Sequence, residues 1–293
     1  MRSVKEKAYA KINLHLDVLA KREDGFHDIR TVMHTVSLCD EVTVSIADSG
    51  RHNIRMIVDG GKWIPTDSKN LCYVAAEKFI ASTGISADVT IKLKKRIPVS
   101  AGLAGGSADA AAVLRALNRV FDRPLTDKRL LNIAAGIGSD VPFCLLGGTA
   151  LCEGRGEIMT RLPDGLSLNV VIASSGEHVS TPVAYSLIDK MYFDFDGSIK
   201  AEGEAHLSQL LDSIKKKKLN CSLFNLFEAA ILPTCPGAEQ LKNMLISLGA
   251  THAMMSGSGP SVYGVFADYA DAERAAEEIN SAGYTAYVAT SIN

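Results

Sequence analysis

Lys11 and Asn13 stand two positions apart in K-A-Y-A-K-I-N-L-H-L-D-V-L, Lys7–Leu19. In an extended strand such positions point the same way, so an ammonium and a carboxamide sit side by side. Taken alone, the pair reads as an edge strand with a solvated polar face. Asp140 is enclosed differently, in G-I-G-S-D-V-P-F-C-L-L-G-G, Gly136–Gly148. Its neighbours are small or apolar, so its carboxylate is partly dehydrated; capping of a helix or turn is the plainer use. Phe26 and His27 follow a turn at Asp24-Gly25. They either close a hairpin or offer a flat ring and a hydrogen-bonding ring to a base.

The longest such stretch is I-P-V-S-A-G-L-A-G-G-S-A-D-A-A-A-V-L-R-A-L-N-R-V-F, Ile97–Phe121. Pro98, Gly102, Gly105 and Gly106 make its first part a loop. Ala111, Leu114, Leu117 and Phe121 recur at helical spacing, with Asp109 expected in the first turn. Ahead of it Val89, Ile91 and Leu93 alternate with polar residues as in a strand. Strand, glycine loop and helix start gather backbone N–H groups around an anion, because phosphate reaches the backbone only where no Cβ intervenes. The P-loop and the G-x-G-x-x-G dinucleotide pattern are both absent here. A small-residue helix packed in a core is the alternative use of the same residues. A third glycine stretch, A-M-M-S-G-S-G-P-S, places Gly257 and Gly259 in a tight loop between strands at Ala253–Met255 and Val262–Phe266.

The elements that must position these residues follow from periodicity. Thr31–Ile46 reads as two antiparallel strands turning near Asp40-Glu41, and Arg51–Ile64 as a further short strand pair. Helices are expected over Leu71–Thr83, Asp127–Ala135, Leu207–Lys217, Leu223–Leu232, Gly237–Leu248 and Ala270–Ser281. Ser180-Thr181 caps a helix carrying Val183, Tyr185, Leu187 and Ile188. Gly147–Glu157 is a glycine-rich strand pair, Leu168–Ala173 a buried strand, Tyr192–Gly203 a loop and Tyr284–Ala289 a closing strand. This order is an α+β pattern rather than a run of βαβ units.

Composition narrows the class. The chain has 293 residues, 47% apolar and 22% charged, as in globular proteins. A formal net charge of -2 argues against a nucleic-acid binder, and Lys215–Lys218 reads as a solvated helix end. No apolar run approaches the about 18 residues of a membrane span, and the first residues lack the apolar centre of a signal peptide. Six cysteines without C-x-x-C or metal-like spacing imply small buried side chains in a reducing, cytoplasmic compartment and no protein metal site.

Together, A-K-I-N-L at Ala10–Leu14, D-G-F-H at Asp24–His27, the Pro98–Ala111 loop, G-S-D-V-P-F at Gly138–Phe143 and M-S-G-S-G-P-S at Met255–Ser261 resemble the GHMP kinase superfamily. Within it the likeness is greatest to the branch acting on a cytidine-diphosphate-bearing polyol of non-mevalonate isoprenoid synthesis. It runs from residue 10 to residue 261. It implies a two-domain α+β fold with the active site in the cleft between domains. The expected domains are 1–157, binding ATP, and 158–293 on the substrate side, the last strand free to return to the first domain.

The resemblance also implies roles. The loop of Pro98, Val99, Ser100, Ala101, Gly102, Leu103, Ala104, Gly105, Gly106 and Ser107 would hold the ATP phosphates, with Asn70 and Lys95 near the adenosine. Lys11 and Asp140 match the catalytic pair, and Asn13 a substrate-positioning residue. Phe26 and His27 would hold the cytosine, with Tyr185 on its other face and Thr181 close by; Gly257 and Ser258 would line the site. Mg²⁺ would ride mainly on phosphates and water. The partner implied is a small molecule, not nucleic acid or membrane, and the protein a monomer or weak homodimer. Two residues depart from the family pattern. Ala104 replaces a glycine, acceptable if its φ is negative, and Ala108 replaces a serine, which leaves Ser107 the hydroxyl. Other readings are a GHMP kinase for mevalonate, homoserine or a sugar, or a non-enzymatic sensor on the same fold. Phe26, His27 and Tyr185 argue against the first, since those acceptors have no base to stack. Lys11 with Asp140 argues against the second.

Overall fold

The computed structural model describes residues 2–47, 53–60, 64–192 and 197–293. In chain order the elements are β1 (Arg2–Lys21), β2 (His27–Ala47), β3 (Asn53–Asp59), α1 (Leu71–Thr83), β4 (Asp88–Lys94), α2 (Gly105–Val120), α3 (Asp127–Ala135), α4 (Val141–Leu146), β5 (Thr149–Glu153), β6 (Ile158–Arg161), β7 (Asn169–Ser174), α5 (Thr181–Tyr192), α6 (Gly197–Lys215), β8 (Phe224–Asn225), α7 (Phe227–Ile231), α8 (Pro236–Ser247), β9 (His252–Met255), β10 (Val262–Phe266), α9 (Tyr269–Ser281) and β11 (Thr285–Thr290). They form two compact units that interleave along the chain, where the sequence reading sets one boundary after residue 157. The first comprises Met1–Ala10, Cys39–Val99 and Ala104–Leu146; the second comprises Lys11–Leu38, Ser100–Leu103 and Gly147–Asn293. Interleaving follows from the length of β1 and β2, each of which contributes residues to both units.

In the first unit β4 lies between β2 and β3. Glu41–Ala47 of β2 runs antiparallel to it and β3 parallel. The apolar alternation of Val42, Val44 and Ile46 with Val89, Ile91 and Leu93 turns one face of this sheet to the core. Helices α1 and α2 fill that core through Phe79, Leu114 and Leu117, each burial contributing roughly 1.5–3 kcal/mol. Ala108, Ala111 and Ala112 on α2 are buried as well, and their small size keeps the helix close to its neighbours. Asn70 starts α1: its side-chain oxygen accepts the Cys72 N–H at 2.9 Å, and Gly84 ends the helix with φ +68°.

The second unit holds an antiparallel sheet in the order β11-β7-β10-β9, with α8 and α9 supplying Leu241, Leu245, Ala275 and Ile279 to its core. β1 and β2 continue here as a hairpin closed at Asp24-Gly25, where Gly25 takes φ +82° as the turn requires. β5 pairs with Thr31–His34 of β2 and with β6.

Several expectations are corrected. Lys11, Asn13, His15 and Asp17 are not a solvated edge: all four are buried, and β8 pairs with β1 at His15 and Leu16. Thr31–Ile46 is not a strand pair but part of the single strand β2, and Asp40 is buried within it. Its carboxylate is satisfied by the Arg96 and Ile97 N–H groups and by Lys95, so no turn is needed there. Leu223–Leu232 is not one helix, because Asn225 pairs in β8 and uses its side chain on neighbouring backbone. Asp109 falls in the second turn of α2, since the helix begins only at Gly105. Of the Arg51–Ile64 pair only β3 is described, and it pairs with β4; residues 51–52 and 61–63 lie outside the described residues. Of the Tyr192–Gly203 loop, the part from Gly197 onward is helical, and 193–196 lie outside the described residues. Ala104 has φ +56°, not a negative value. For an alanine that conformation costs roughly 1–2 kcal/mol, which is why glycine suits the position.

Candidate active site

Each unit carries part of the expected site. In the first, the strand-to-helix segment after β4 delivers Ala104–Ser107 to the start of α2. Ala104 occupies the N-cap position in the left-handed region and makes no side-chain capping bond. A left-handed residue followed by helical ones turns successive N–H groups toward one point, and a 16-residue helix adds its positive end. An anion is the natural occupant of such a helix start. Gly106 is open: a Cβ there would meet only the Leu71 side chain, at 3.8 Å. Gly105 is confined instead, since its Cβ would fall 3.0 Å from Ile97 and 3.3 Å from the Lys95 Nζ. Asp140, half-buried, precedes α4 and accepts the Cys144 N–H through its backbone carbonyl at 3.0 Å. Asn70 and Lys95 both carry structural bonds: Asn70 also donates to the Pro65 carbonyl at 2.7 Å, and Lys95 pairs with Asp40 and Asp109.

In the second unit β1 positions Lys11 and Asn13. Lys11, 4% exposed, donates to the Asn13 Oδ1 at 2.6 Å, and the Asn13 Nδ2 donates to the Thr31 Oγ1 at 2.7 Å. The Thr31 hydroxyl donates in turn to the His15 carbonyl at 2.6 Å. This relay fixes the amide of Asn13 with its oxygen toward the ammonium. The buried Tyr263 hydroxyl holds the Asn13 carbonyl at 2.7 Å. The Lys11 backbone N–H donates to Leu103 at 3.2 Å, and the Ser256 hydroxyl to Gly102 at 3.0 Å, so β1 and the third glycine loop both grip Ser100–Leu103.

Gly257 shows why that third loop needs glycine. At φ +58°, a Cβ would lie 2.9 Å from the Gly102 carbonyl oxygen and 3.1 Å from the Lys11 Nζ. Asn225 pins the loop by donating to the Met255 and Gly257 carbonyls at 2.8 and 2.9 Å. Thr181, at the start of α5, meets Ser258 hydroxyl to hydroxyl at 3.3 Å. Lys11, Asn13, Gly257, Ser258 and Thr181 are thereby brought onto connected contacts.

The aromatic residues separate into two groups. Phe26 is 52% exposed, with the Arg155 guanidinium 4.8 Å from its ring centre. His27 is buried and stacks on Tyr185, centroids 4.6 Å apart, while Tyr185 lies perpendicular to Phe227 at 5.0 Å. The His27 Nε2 bonds Asp189 at 2.6 Å and Lys21 pairs with the same carboxylate at 2.5 Å. Although burial opposes it, those two partners hold Asp189 below the usual carboxylate range.

Sequence reasoning missed Thr31, Asn225, and Asp40 with Asp109. Thr31 was reachable, since a hairpin closed at Asp24-Gly25 returns it beside His15. Asn225 and Asp40 were hidden because the glycine-loop carbonyls that Asn225 bonds and the amides that Asp40 accepts lie 30 or more residues away.

The domain families described as "GHMP kinases N terminal domain" and "GHMP kinases C terminal" match residues 70–148 and 207–285. The chain belongs to the GHMP kinases, as its motifs imply. Among curated relatives, the 4-diphosphocytidyl-2-C-methyl-D-erythritol kinase of Caldicellulosiruptor bescii is 40% identical over 94% of each chain. The protein of that name from Acetivibrio thermocellus is 38% identical over 100% of both. A crystal structure of 4-(cytidine 5'-diphospho)-2C-methyl-D-erythritol kinase aligns over 98% of both chains, with TM-score 0.79 and 31% identity. Homoserine kinase from Cytophaga hutchinsonii, 20% identical with TM-score 0.78 over 100% of this chain and 95% of its own, shares the fold.

Proposed function

We propose that this chain is an ATP-dependent kinase that phosphorylates the 2-hydroxyl of 4-diphosphocytidyl-2-C-methyl-D-erythritol in non-mevalonate isoprenoid precursor synthesis. One observation carries the nucleotide half of the reading: the uncapped start of α2 behind left-handed Ala104 in a glycine loop. The acceptor half is supported by near full-length likeness to relatives bearing that name.

The Pro98–Ser107 loop and the first N–H groups of α2 cradle the triphosphate, with Asn70 at its adenosine end. Asp140 takes the proton of the attacking hydroxyl as its oxygen bonds the γ-phosphorus and the bond to the ADP oxygen breaks. Lys11, held by Asn13 and flanked by Gly257, balances the charge that develops on the transferring group. Asn13 orients the acceptor. Mg²⁺ would neutralise phosphate charge, held mainly by phosphates and water with the Ser107 hydroxyl beside them.

Phe26 offers an exposed ring for the cytosine, His27 a hydrogen bond to its edge, and Tyr185 a second aromatic wall. A stacked base is worth roughly 1–3 kcal/mol, about 5- to 150-fold in binding. Calorimetric titration of Phe26→Ala and Tyr185→Ala should therefore show cytidine-substrate affinity lowered by that order and ATP affinity unchanged. The double variant should lose less than the sum, because both rings contact one base. Unchanged cytidine-substrate affinity in both folded variants would return the protein to a GHMP kinase with a different acceptor.

A further inference from the structure

Asp40, Lys95 and Asp109 form a buried ionic cluster in the first unit, joining three segments distant in sequence. Asp40, on β2, accepts the backbone N–H groups of Arg96 and Ile97 through one oxygen and the Lys95 ammonium through the other. Lys95 reaches across to Asp109, on the second turn of α2, at 2.7 Å. The three contacts to Asp40 fix the chain as it enters the Pro98–Ser107 loop, and the Lys95–Asp109 pair fixes it just after it leaves. The first residue of α2 rests against the same group, since a Cβ on Gly105 would lie 3.3 Å from the Lys95 Nζ.

This cluster is an expensive way to hold a core together. It places two carboxylates against one ammonium, and the Asp109 Oδ1 has no hydrogen-bond partner. Burial, reinforced by the Asp40 charge and opposed by Lys95, pushes the Asp109 carboxyl up to about 7. The buried Cys72 thiol, also pushed up, feels the same charges. Apolar residues of similar volume would stabilise a core at least as well. Unrelieved buried charge is tolerated where geometry serves function.

We propose that Asp40, Lys95 and Asp109 are positioning residues for phosphoryl transfer, clamping both ends of the phosphate loop so that the N–H groups of α2 are set before ATP arrives. This rests on the reading of that loop as the ATP site. The cluster acts through the loop backbone and not on the phosphates.

The test is steady-state kinetics on the full-length protein with Asp40→Ala, Asp40→Asn and Asp109→Ala. Asp40→Ala should raise the KM for ATP on the order of tenfold, while kcat at saturating ATP and the acceptor KM stay close to wild type. Asp40→Asn keeps an oxygen for the two amides and should recover most of the loss; Asp109→Ala should act like Asp40→Ala. Hydrogen exchange on the wild-type protein needs no variant: the Arg96 and Ile97 amides, bonded to Asp40, should be protected without nucleotide. Folded variants with wild-type KM for ATP, or with kcat and both KM values moving together, overturn the proposal, as do amides protected only after ATP is added. A wild-type protein that does not turn over ATP removes the loop reading and the proposal with it. Unchanged variants of an active protein remove the proposal alone.

Discussion

Asp140 and Lys11 show how differently one chain can hold two groups assigned to one reaction. Asp140 is half-buried at the start of a short helix and keeps its backbone carbonyl for the Cys144 N–H. Lys11 is buried on a long strand and aimed by the Asn13 amide, which Thr31 holds in turn, while Tyr263 holds the Asn13 backbone carbonyl. A carboxylate that only capped α4 would be replaceable by the isosteric amide; one that takes a proton would not. Asp140→Asn should therefore lower kcat by ~10²–10⁴ while nucleotide binding and melting temperature stay near wild type. Stopped-flow or coupled kinetics beside a thermal melt reads all three. A folded Asp140→Asn protein with ordinary kcat would make Asp140 a structural cap.

At the scale of elements, β2 explains both what was legible in the sequence and what was not. Local periodicity and capping gave α1, α3, α8 and α9 to within a residue or two, and the glycine loop with its helix, because short-range spacing determines these. Asp40-Glu41 imitated a turn because the partners that keep Asp40 inside a strand lie more than 50 residues away. The same limit hid the burial of Lys11 and Asn13, since Leu103 and Tyr263, which bond them, lie far along the chain. Long-range pairing also makes acid sensitivity predictable. On β2, burial lowers His34 to about 4 while Thr149 and Ser291 accept or donate at its two nitrogens. On β1, burial first, then the His206 and Arg30 charges, lowers His15 to about 3. Both rings are neutral when folded, and the unfolded chain protonates near 6.5. Their stabilisation is thus present above about pH 6.5 and is lost as pH falls toward 4, every tenfold weakening of proton binding on folding being worth about 1.4 kcal/mol. Melting temperatures measured from pH 7.5 to 4 should fall, and less steeply for His15→Phe, which keeps a ring beside Phe224. An acid limb of equal slope in both proteins would contradict this.

For the whole molecule, two compact units with interleaved chain segments carry complementary parts of one motif set. The start of α2 and Asp140 belong to the first, the Lys11–Asn13 relay, the Gly257 loop and the aromatic residues to the second. Among the described residues, no helix is long and apolar enough to cross a membrane. Fold alone does not choose the acceptor, since homoserine and mevalonate kinases share it. The choice rests on Phe26, His27 and Tyr185, and on relatives about 40% identical. The most direct measurement is ADP release by the purified full-length protein with ATP, Mg²⁺ and, in turn, 4-diphosphocytidyl-2-C-methyl-D-erythritol, mevalonate and homoserine. The account predicts kcat/KM for the cytidine-bearing acceptor higher on the order of 10²-fold or more, because a site built to bind a polar base discriminates strongly against molecules lacking it. Equal or faster turnover of mevalonate or homoserine, or no turnover of the cytidine-bearing acceptor, would contradict it.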